Sequence, residues 1–461
     1  MPVLASFVVP HPPLIVPAVG RGGEKEIQKT TDSYEKVAKM IASLKPDTII
    51  ISSPHSIMYS DYFHISPGKE ATGSLASFRA PEVSFSEKYD HELTGEIERL
   101  CESRDFPAGT LGERQKELDH GTMVPLYFIR KYYNDFKLVR ISLSGLSLLT
   151  HYEFGSIINE AVSNTNRNAV FVASGDLSHK LKEYGPYGYV KEGPEYDERV
   201  MDVLSRGSFG ELLEFDEGFC EKAAECGHRS FVIMAGLWDG ISVQSTMYSH
   251  EDVTGVGYGI LSFYPGKEDP ERCFLKKYME DKKKDAEKKK QEADPYVRLA
   301  YETVERYIGE GSVIDVPDDL PKDMLDKRAG AFVSIHEHGA LRGCIGTILP
   351  VTKNIAREII QNAISASTKD PRFSPIRPDE LPFLEINVDI LGDPEDIGSE
   401  DELDVKRYGV IVSTKTKRGL LLPDLDGVDT VRQQVDIAKR KAGITDGEEY
   451  SLQRFEVVRH F

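Results

Sequence analysis

The stretch from Asp47 to Ser56, DTIIISSPHS, decides how the first half of the chain is read. A threonine and three isoleucines run without a polar break, the mark of a strand buried on both faces. Lys45-Pro46-Asp47 precedes it and closes a helical pattern over Ile27–Leu44, where Tyr34, Val37, Ile41 and Leu44 share one stripe. The same rhythm recurs elsewhere. Val3–Val9 is a short apolar, β-branched run, and Lys137–Ser142 (KLVRIS) is followed by a helical stretch near Glu153–Asn164 and by Ala169–Ala173 (AVFVA). Repeated strand–helix–strand units predict an α/β fold with a mainly parallel sheet and flanking helices. In such sheets, functional groups gather just beyond the carboxyl ends of the strands.

The quoted stretch ends in a histidine, and it is not alone in doing so. His11 follows the first strand, within PHPP. His55 follows the second, within SSPHS, and His179 follows AVFVA, within SGDLSH. Parallel neighbours would bring these imidazoles to one crevice. His120 lies in a fourth loop, DHGTMVPL, where Asp119 can orient the ring or start a helix. Imidazole is the commonest metal ligand and the side chain best suited to proton transfer near neutral pH. Two histidines and one carboxylate form the set that holds ferrous iron with open positions. Glu225, in AAECGHRS, is the favoured carboxylate because it precedes an apolar helical run, Phe231–Trp238. Its neighbour Cys226 is the alternative. A thiolate there would favour copper(I) or zinc over iron. His228 and Arg229 are read as contacts for a substrate carboxylate.

The remaining composition bounds the rest. At 461 residues the chain is long enough for about three average domains. A highly charged segment over residues 266–293 reads as a solvated helix or tether. The chain then divides into two domains, 1–264 and 294–461, joined by a linker at 265–293. In the second, helices are expected at Pro295–Ile308, Ile355–Ser367 and 428–442. Strands are expected at Gly330–His336 and Glu385–Leu391, with a hairpin at Val410–Ser413 and Gly419–Leu422. This is a smaller α+β domain. The 57 basic residues stand against 76 acidic ones, and a net charge of -19 repels phosphate backbones, so no nucleic-acid partner is expected. Five widely spaced cysteines without a CxxC exclude a disulfide scaffold or structural zinc knot. The proline-broken amino terminus is no signal peptide, and no apolar run is long enough to span a membrane. A reduced, cytoplasmic, soluble protein is expected.

The stretch HEHGALRGCIGTILP, 336–350, holds Cys344 between Gly343 and Gly346, beside Arg342. An adjacent guanidinium lowers a thiol pKa, so Cys344 is either a reactive thiol or a small buried residue in a glycine-kinked strand. Arg342 with the glycine amides is also read as an anion site.

Two resemblances add to this. PHPP, SSPHS, DHGTMVPL, SGDLSH, ECG at 225–227 and VGYGILSF together resemble the class III extradiol dioxygenases of LigB type, and within that superfamily the Memo-like branch. The resemblance implies ferrous iron held by His11, His55 and Glu225. It implies His179 as the base toward a catechol-like diol, with Asp176 in the same motif, and His120 lining the pocket. Memo-like proteins carry a cysteine in the CG motif, which corresponds to Cys226, and they would bind copper, zinc or iron without ring cleavage. LRGCIG, DPRFSP, GLLLP, KAGI and RFEV resemble the AMMECR-one family over residues 294–461. The two families occur together, fused or beside a radical SAM protein. The resemblance therefore implies such a partner, and dioxygenases of this class imply a homo-oligomer.

Overall fold

The computed structural model describes residues 3–112, 117–425, 427–445 and 447–461. The chain separates into two compact units, Met1–Tyr278 and Met279–Phe461. Among the described residues, no helix is long and apolar enough to cross a membrane.

The first unit is built on a six-stranded sheet. Its strands are β1 (Val3–Val9), β2 (Thr48–Ser53), β3 (Lys137–Ser142), β4 (Ala169–Ser174), β5 (Ile241–Glu251) and β6 (Tyr258–Glu268), in the order β3-β2-β4-β1-β6-β5. The first four pair in parallel, and β6 joins β1 antiparallel. Every residue of β2 and β4 is buried, as their unbroken apolar sequences require. β1, β2 and β4 are adjacent and share a direction, so the three histidine-bearing loops leave from one edge.

Helices cover both faces: α1 (Gln28–Leu44), α2 (His120–Arg130), α3 (Leu148–Asn164), α4 (Glu192–Arg206) and α5 (His228–Gly236). α2 and α3 start on side-chain caps, from Asp119 to the Thr122 amide and from Ser147 to the Thr150 amide. α5 is mostly apolar and, apart from half-buried Arg229, internal. It is tied to the sheet by Ser230 Oγ at 2.6 Å from Ser52 Oγ, and Trp238 just beyond its end donates to Ser6 Oγ at 2.8 Å. Its closest approach is to α3. A Cβ on Gly236 would lie 1.9 Å from the Tyr152 carbonyl oxygen, and one on Gly155 would lie 2.0 Å from that of Ile233.

The charged segment takes the first of the two forms expected of it, a solvated helix. β6 continues through Glu268, and α6 (Phe274–Glu292) carries most of the lysines. In the second unit, α7 (Pro295–Glu310) and α8 (Ile355–Thr368) pack on one face of an antiparallel sheet. Six of its seven strands are β7 (Ala331–Glu337), β8 (Ala340–Gly346), β9 (Leu384–Leu391), β10 (Tyr408–Ser413), β11 (Arg418–Leu421) and β12 (Ser451–His460), in the order β8-β7-β9-β12-β10-β11, and the short seventh, Glu395–Ile397, pairs with β12 off that path. The hairpin β10–β11 pairs Val410 with Leu421. α9 (Val431–Ala442) opens on a Thr430 capping box and closes at Gly443, whose φ of 69° is the left-handed stop glycine favours.

Because the obstruction at the α3–α5 crossing is main chain, it cannot rotate away. Gly155→Ala and Gly236→Ala should each lower stability by about 1–3 kcal/mol, the usual cost of overpacking. The double variant should lose less than the sum, because both methyls force the same helix displacement. Urea midpoints of the four proteins check this. Unchanged midpoints would mean that the helices are not held at this separation.

Candidate metal centre

His11 and His55 stand two residues beyond the ends of β1 and β2, and Asp176 stands two beyond β4. Their placement follows from the register of three parallel strands. His11 Nε2 lies 2.9 Å from His55 Nε2. The His120 ring leans on His55 with centroids 3.9 Å apart and planes tilted by 31°, and Phe78 backs His120 at 5.3 Å. His179 lies farther along the loop, its ring stacked at 5.3 Å on Tyr187.

The tautomer of His11 is fixed by its neighbours. Ser174 Oγ gives its only proton to the Gly121 carbonyl oxygen, at 2.6 Å. It must therefore accept from His11 Nδ1, 3.0 Å away. His11 Nε2 is left with a lone pair facing His55 and Cys226, as a metal-ligating histidine requires. His55 is held through its amide, which donates to Ser53 Oγ. Ser53 Oγ in turn donates to Asp119 Oδ1 at 2.5 Å. Asp119 also caps α2, and the buried guanidinium of Arg140 lies 3.6 Å from it. One carboxylate thus positions both His55 and the helix that begins at His120.

The structure separates the two residues that compete for the third ligand position. Glu225 was favoured from the sequence, but its Oε2 accepts the His228 amide at 2.6 Å and caps α5. Neither convergent group of ligand atoms among the described residues includes it. Cys226 stands in both groups, with Sγ 3.6 Å from His11 Nε2. The reason is local. A residue just before a helix start satisfies orphan amides, and the next residue then points elsewhere. Cys226 and Asp176 are locked together: the Asp176 amide donates to Cys226 Sγ at 3.3 Å and the Cys226 amide to the Asp176 carbonyl at 3.4 Å. Asp176 Oδ1 also accepts the His11 amide at 2.8 Å.

The centre is largely buried, with His55 exposed at its rim, and this shifts its titrations. Burial, followed by repulsion from His55, His120 and His179, holds His11 well below its ordinary pKa. Burial and His55 bring His120 and His179 down to about 4. Burial also lifts Asp176 to about 7 and raises Cys226. All four imidazoles are neutral at pH 7, the form that ligates metals.

Two further expectations are corrected. His228 and Arg229 are engaged within the fold. His228 uses both ring nitrogens, on Tyr196 at 3.2 Å and the Leu212 carbonyl at 3.0 Å. Arg229 donates to the Leu146 carbonyl and pairs with Glu217. In the second unit, Arg342 is not the group that tunes Cys344. It is held by both oxygens of Glu380 and by the Ser374 carbonyl. Burial raises the Cys344 thiol pKa, opposed by Ser334 and Arg372. The DPRFSP segment closes on the signature instead, with Asp370 accepting the Cys344 amide at 2.9 Å. Gly343 is needed because a Cβ there would lie 2.2 Å from the Ala366 carbonyl oxygen of α8.

A family model described as the catalytic LigB subunit of aromatic ring-opening dioxygenase matches residues 5–261. The chain belongs to the LigB family. A second model, AMMECR1, matches residues 297–460, so this LigB protein is a two-domain fusion. A protein of Clostridium acetobutylicum is 44% identical over 462 residues, covering 98% of each chain. A Thermotoga maritima protein is 50% identical over 168 residues, 36% of this chain and 97% of its own. Among solved structures, an uncharacterized Escherichia coli K12 protein aligns with a TM-score of 0.40 at 15% identity, over 56% of this chain and 99% of its own. An uncharacterized Pyrococcus horikoshii protein aligns with a TM-score of 0.33 at 28% identity, over 36% and 88%.

His151 is a structural histidine that sequence reading passed over. Its Nε2 accepts the Ser144 amide and its Nδ1 donates to the Ser147 carbonyl, so it is held neutral. Burial, with Arg229 nearby, lowers its pKa to about 3. The unfolded chain takes up this proton near pH 6.5 and the folded chain does not. Its contribution is therefore intact above pH 6.5 and lost as pH falls toward 3. Between pH 6.5 and 4.5 this residue should cost the fold about 2–3 kcal/mol at 1.36 kcal/mol per unit. In His151→Gln, the urea midpoint should fall correspondingly less over that interval. An identical pH dependence would show that His151 is not the group responsible.

Proposed function

We propose that this LigB-family protein is a metal-dependent enzyme whose centre uses His11, His55 and Cys226 in place of two histidines and a carboxylate. The observation that carries this reading is the position of Cys226 Sγ, 3.6 Å from His11 Nε2, while Glu225 caps α5. The donor set fits a metal ion, with two neutral imidazoles and a sulfur converging and the lone pair of His11 fixed by Ser174. Soft thiolate with imidazole suits copper(I) or zinc(II) better than an oxygen-activating ferrous site. When bound, such an ion would supply Lewis acidity or, for copper, one-electron chemistry.

The protein residues have separate tasks. His179 Nε2 is buried without a hydrogen-bond partner among the described residues and would accept a proton from a substrate hydroxyl. His120, neutral and backed by Phe78, gives the pocket a flat apolar wall with one polar edge. Tyr187, stacked on His179, limits that ring's rotation and shields it from water. A small planar substrate bearing a hydroxyl suits this lining. A radical SAM partner acting on the same substrate belongs to this reading.

The family match itself favours a second reading, ring-opening of a catechol-like substrate with ferrous iron on His11, His55 and Glu225. Metal titration separates the two. In the first reading, Cys226→Ser lowers copper(I) or zinc(II) affinity by about 10–100-fold or more, and Glu225→Ala leaves it within a few-fold. In the second, Glu225→Ala removes iron and Cys226→Ser does not. Retention of copper and zinc in Cys226→Ser would overturn the first reading.

A further inference from the structure

Cys226 belongs to two groups of convergent ligand atoms, not one. The first is His11, His55 and Cys226. The second is Asp176, His179 and Cys226, whose carboxylate, imidazole and thiol atoms also lie within 4.8 Å of one another. Three observations set the second group apart from ordinary packing.

His179 Nε2 is buried and has no hydrogen-bond partner among the described residues. Buried polar nitrogens of that kind are rare in folded proteins and call for a ligand, water or ion. The nitrogen faces Asp176 Oδ2 across 3.9 Å. That gap is too wide for a hydrogen bond, yet it leaves room for one ion between the two atoms, which need close by only about 0.5 Å to meet tetrahedral bond lengths. Asp176 is also divided between two tasks. Oδ1 is taken by the His11 amide, which fixes the carboxylate plane and leaves Oδ2 directed at His179. The third ligand atom, Cys226 Sγ, accepts the Asp176 amide at 3.3 Å. Such a hydrogen bond stabilises the thiolate and holds the sulfur between the two groups.

We propose that Asp176, His179 and Cys226 form a second metal site, for zinc(II) or copper(I), and that the Cys226 sulfur bridges it to the ion held by His11 and His55. The proposal rests on the His11/His55/Cys226 reading, because the bridge needs Cys226 to be a ligand there. Binding the pair of ions releases the Cys226 thiol proton to solvent and requires Asp176 as the carboxylate. A thiolate and a carboxylate in a largely buried pocket then carry two negative charges facing two cations. The second ion occupies the nitrogen that would otherwise take a substrate proton. With one ion bound, His179 is a base. With two bound it is a ligand, and the base is withdrawn.

The test uses the full chain and zinc(II) alone. After equilibration and gel filtration, the wild type should retain two zinc ions per chain. His179→Ala and Asp176→Asn should each retain one, and His55→Ala should also retain one. The His179 side chain is 21% exposed, so its removal leaves the core intact should Asp176→Asn fail to fold. Cobalt(II) substitution adds a spectroscopic readout. The sulfur-to-cobalt absorption should grow over two equivalents in the wild type and saturate at one in His179→Ala. A wild type that saturates at one ion, with His179→Ala unchanged, overturns the second site and leaves the first intact. Two ions in both proteins would place the extra ion elsewhere and also overturn the proposal. No retained ion in the wild type would overturn this proposal and the reading beneath it together.

Discussion

The centre depends on a close passage of two backbones at Gly175 and Gly227. A Cβ on Gly175 would lie 2.2 Å from the Gly227 Cα, and a Cβ on Gly227 would meet the Phe231 ring at 2.3 Å and the Asp176 carbonyl at 2.9 Å. Only with hydrogens at both positions can the turn after β4 lie against the turn before α5. That contact lets Asp176 and Cys226 exchange amide hydrogen bonds. Asp176 then reaches the His11 amide, so three loops from distant parts of the chain become one assembly. α5 extends the constraint inward. Its attachments to β1 and β2, and the Gly155–Gly236 crossing with α3, fix where the thiol-bearing turn begins.

Much of this was legible in the sequence, for a definite reason. Strands buried on both faces cannot alternate, so TIIISS and AVFVAS declare themselves, and a histidine two residues past such a strand has little freedom of position. His11 and His55 were therefore readable without knowing any contact. The choice between Glu225 and Cys226 was not. It turns on which of two adjacent side chains satisfies the His228 amide, and on a glycine pair separated by 52 positions. The helix start in the same stretch was a usable sign, since a glutamate before an apolar helix is a natural cap. The LRGCIG stretch shows the opposite failure. Arg342 lies beside Cys344 in sequence, yet its guanidinium is committed to Glu380, and the Asp370–Arg372 pair reaches the cysteine from another segment.

The electrostatics explain why the histidines outnumber the acids. Four imidazoles meet in a space where His11 and His55 nitrogens stand 2.9 Å apart and the His55 and His120 ring centroids lie 3.9 Å apart. They cannot share that volume as cations, so burial and mutual repulsion keep them neutral. The nearest permanent charges are also paired off. Arg140 faces Asp119, and Asp119 spends its oxygens on Ser53 and Thr122. The groups left to carry negative charge toward the cluster are Asp176 and Cys226, side by side. A largely buried region with neutral donors on one wall and two acids of raised pKa on the other resists ionising on its own. It becomes stable as an ionised site only when positive charge enters between those walls, and this favours a cation over any anionic group as the first species bound.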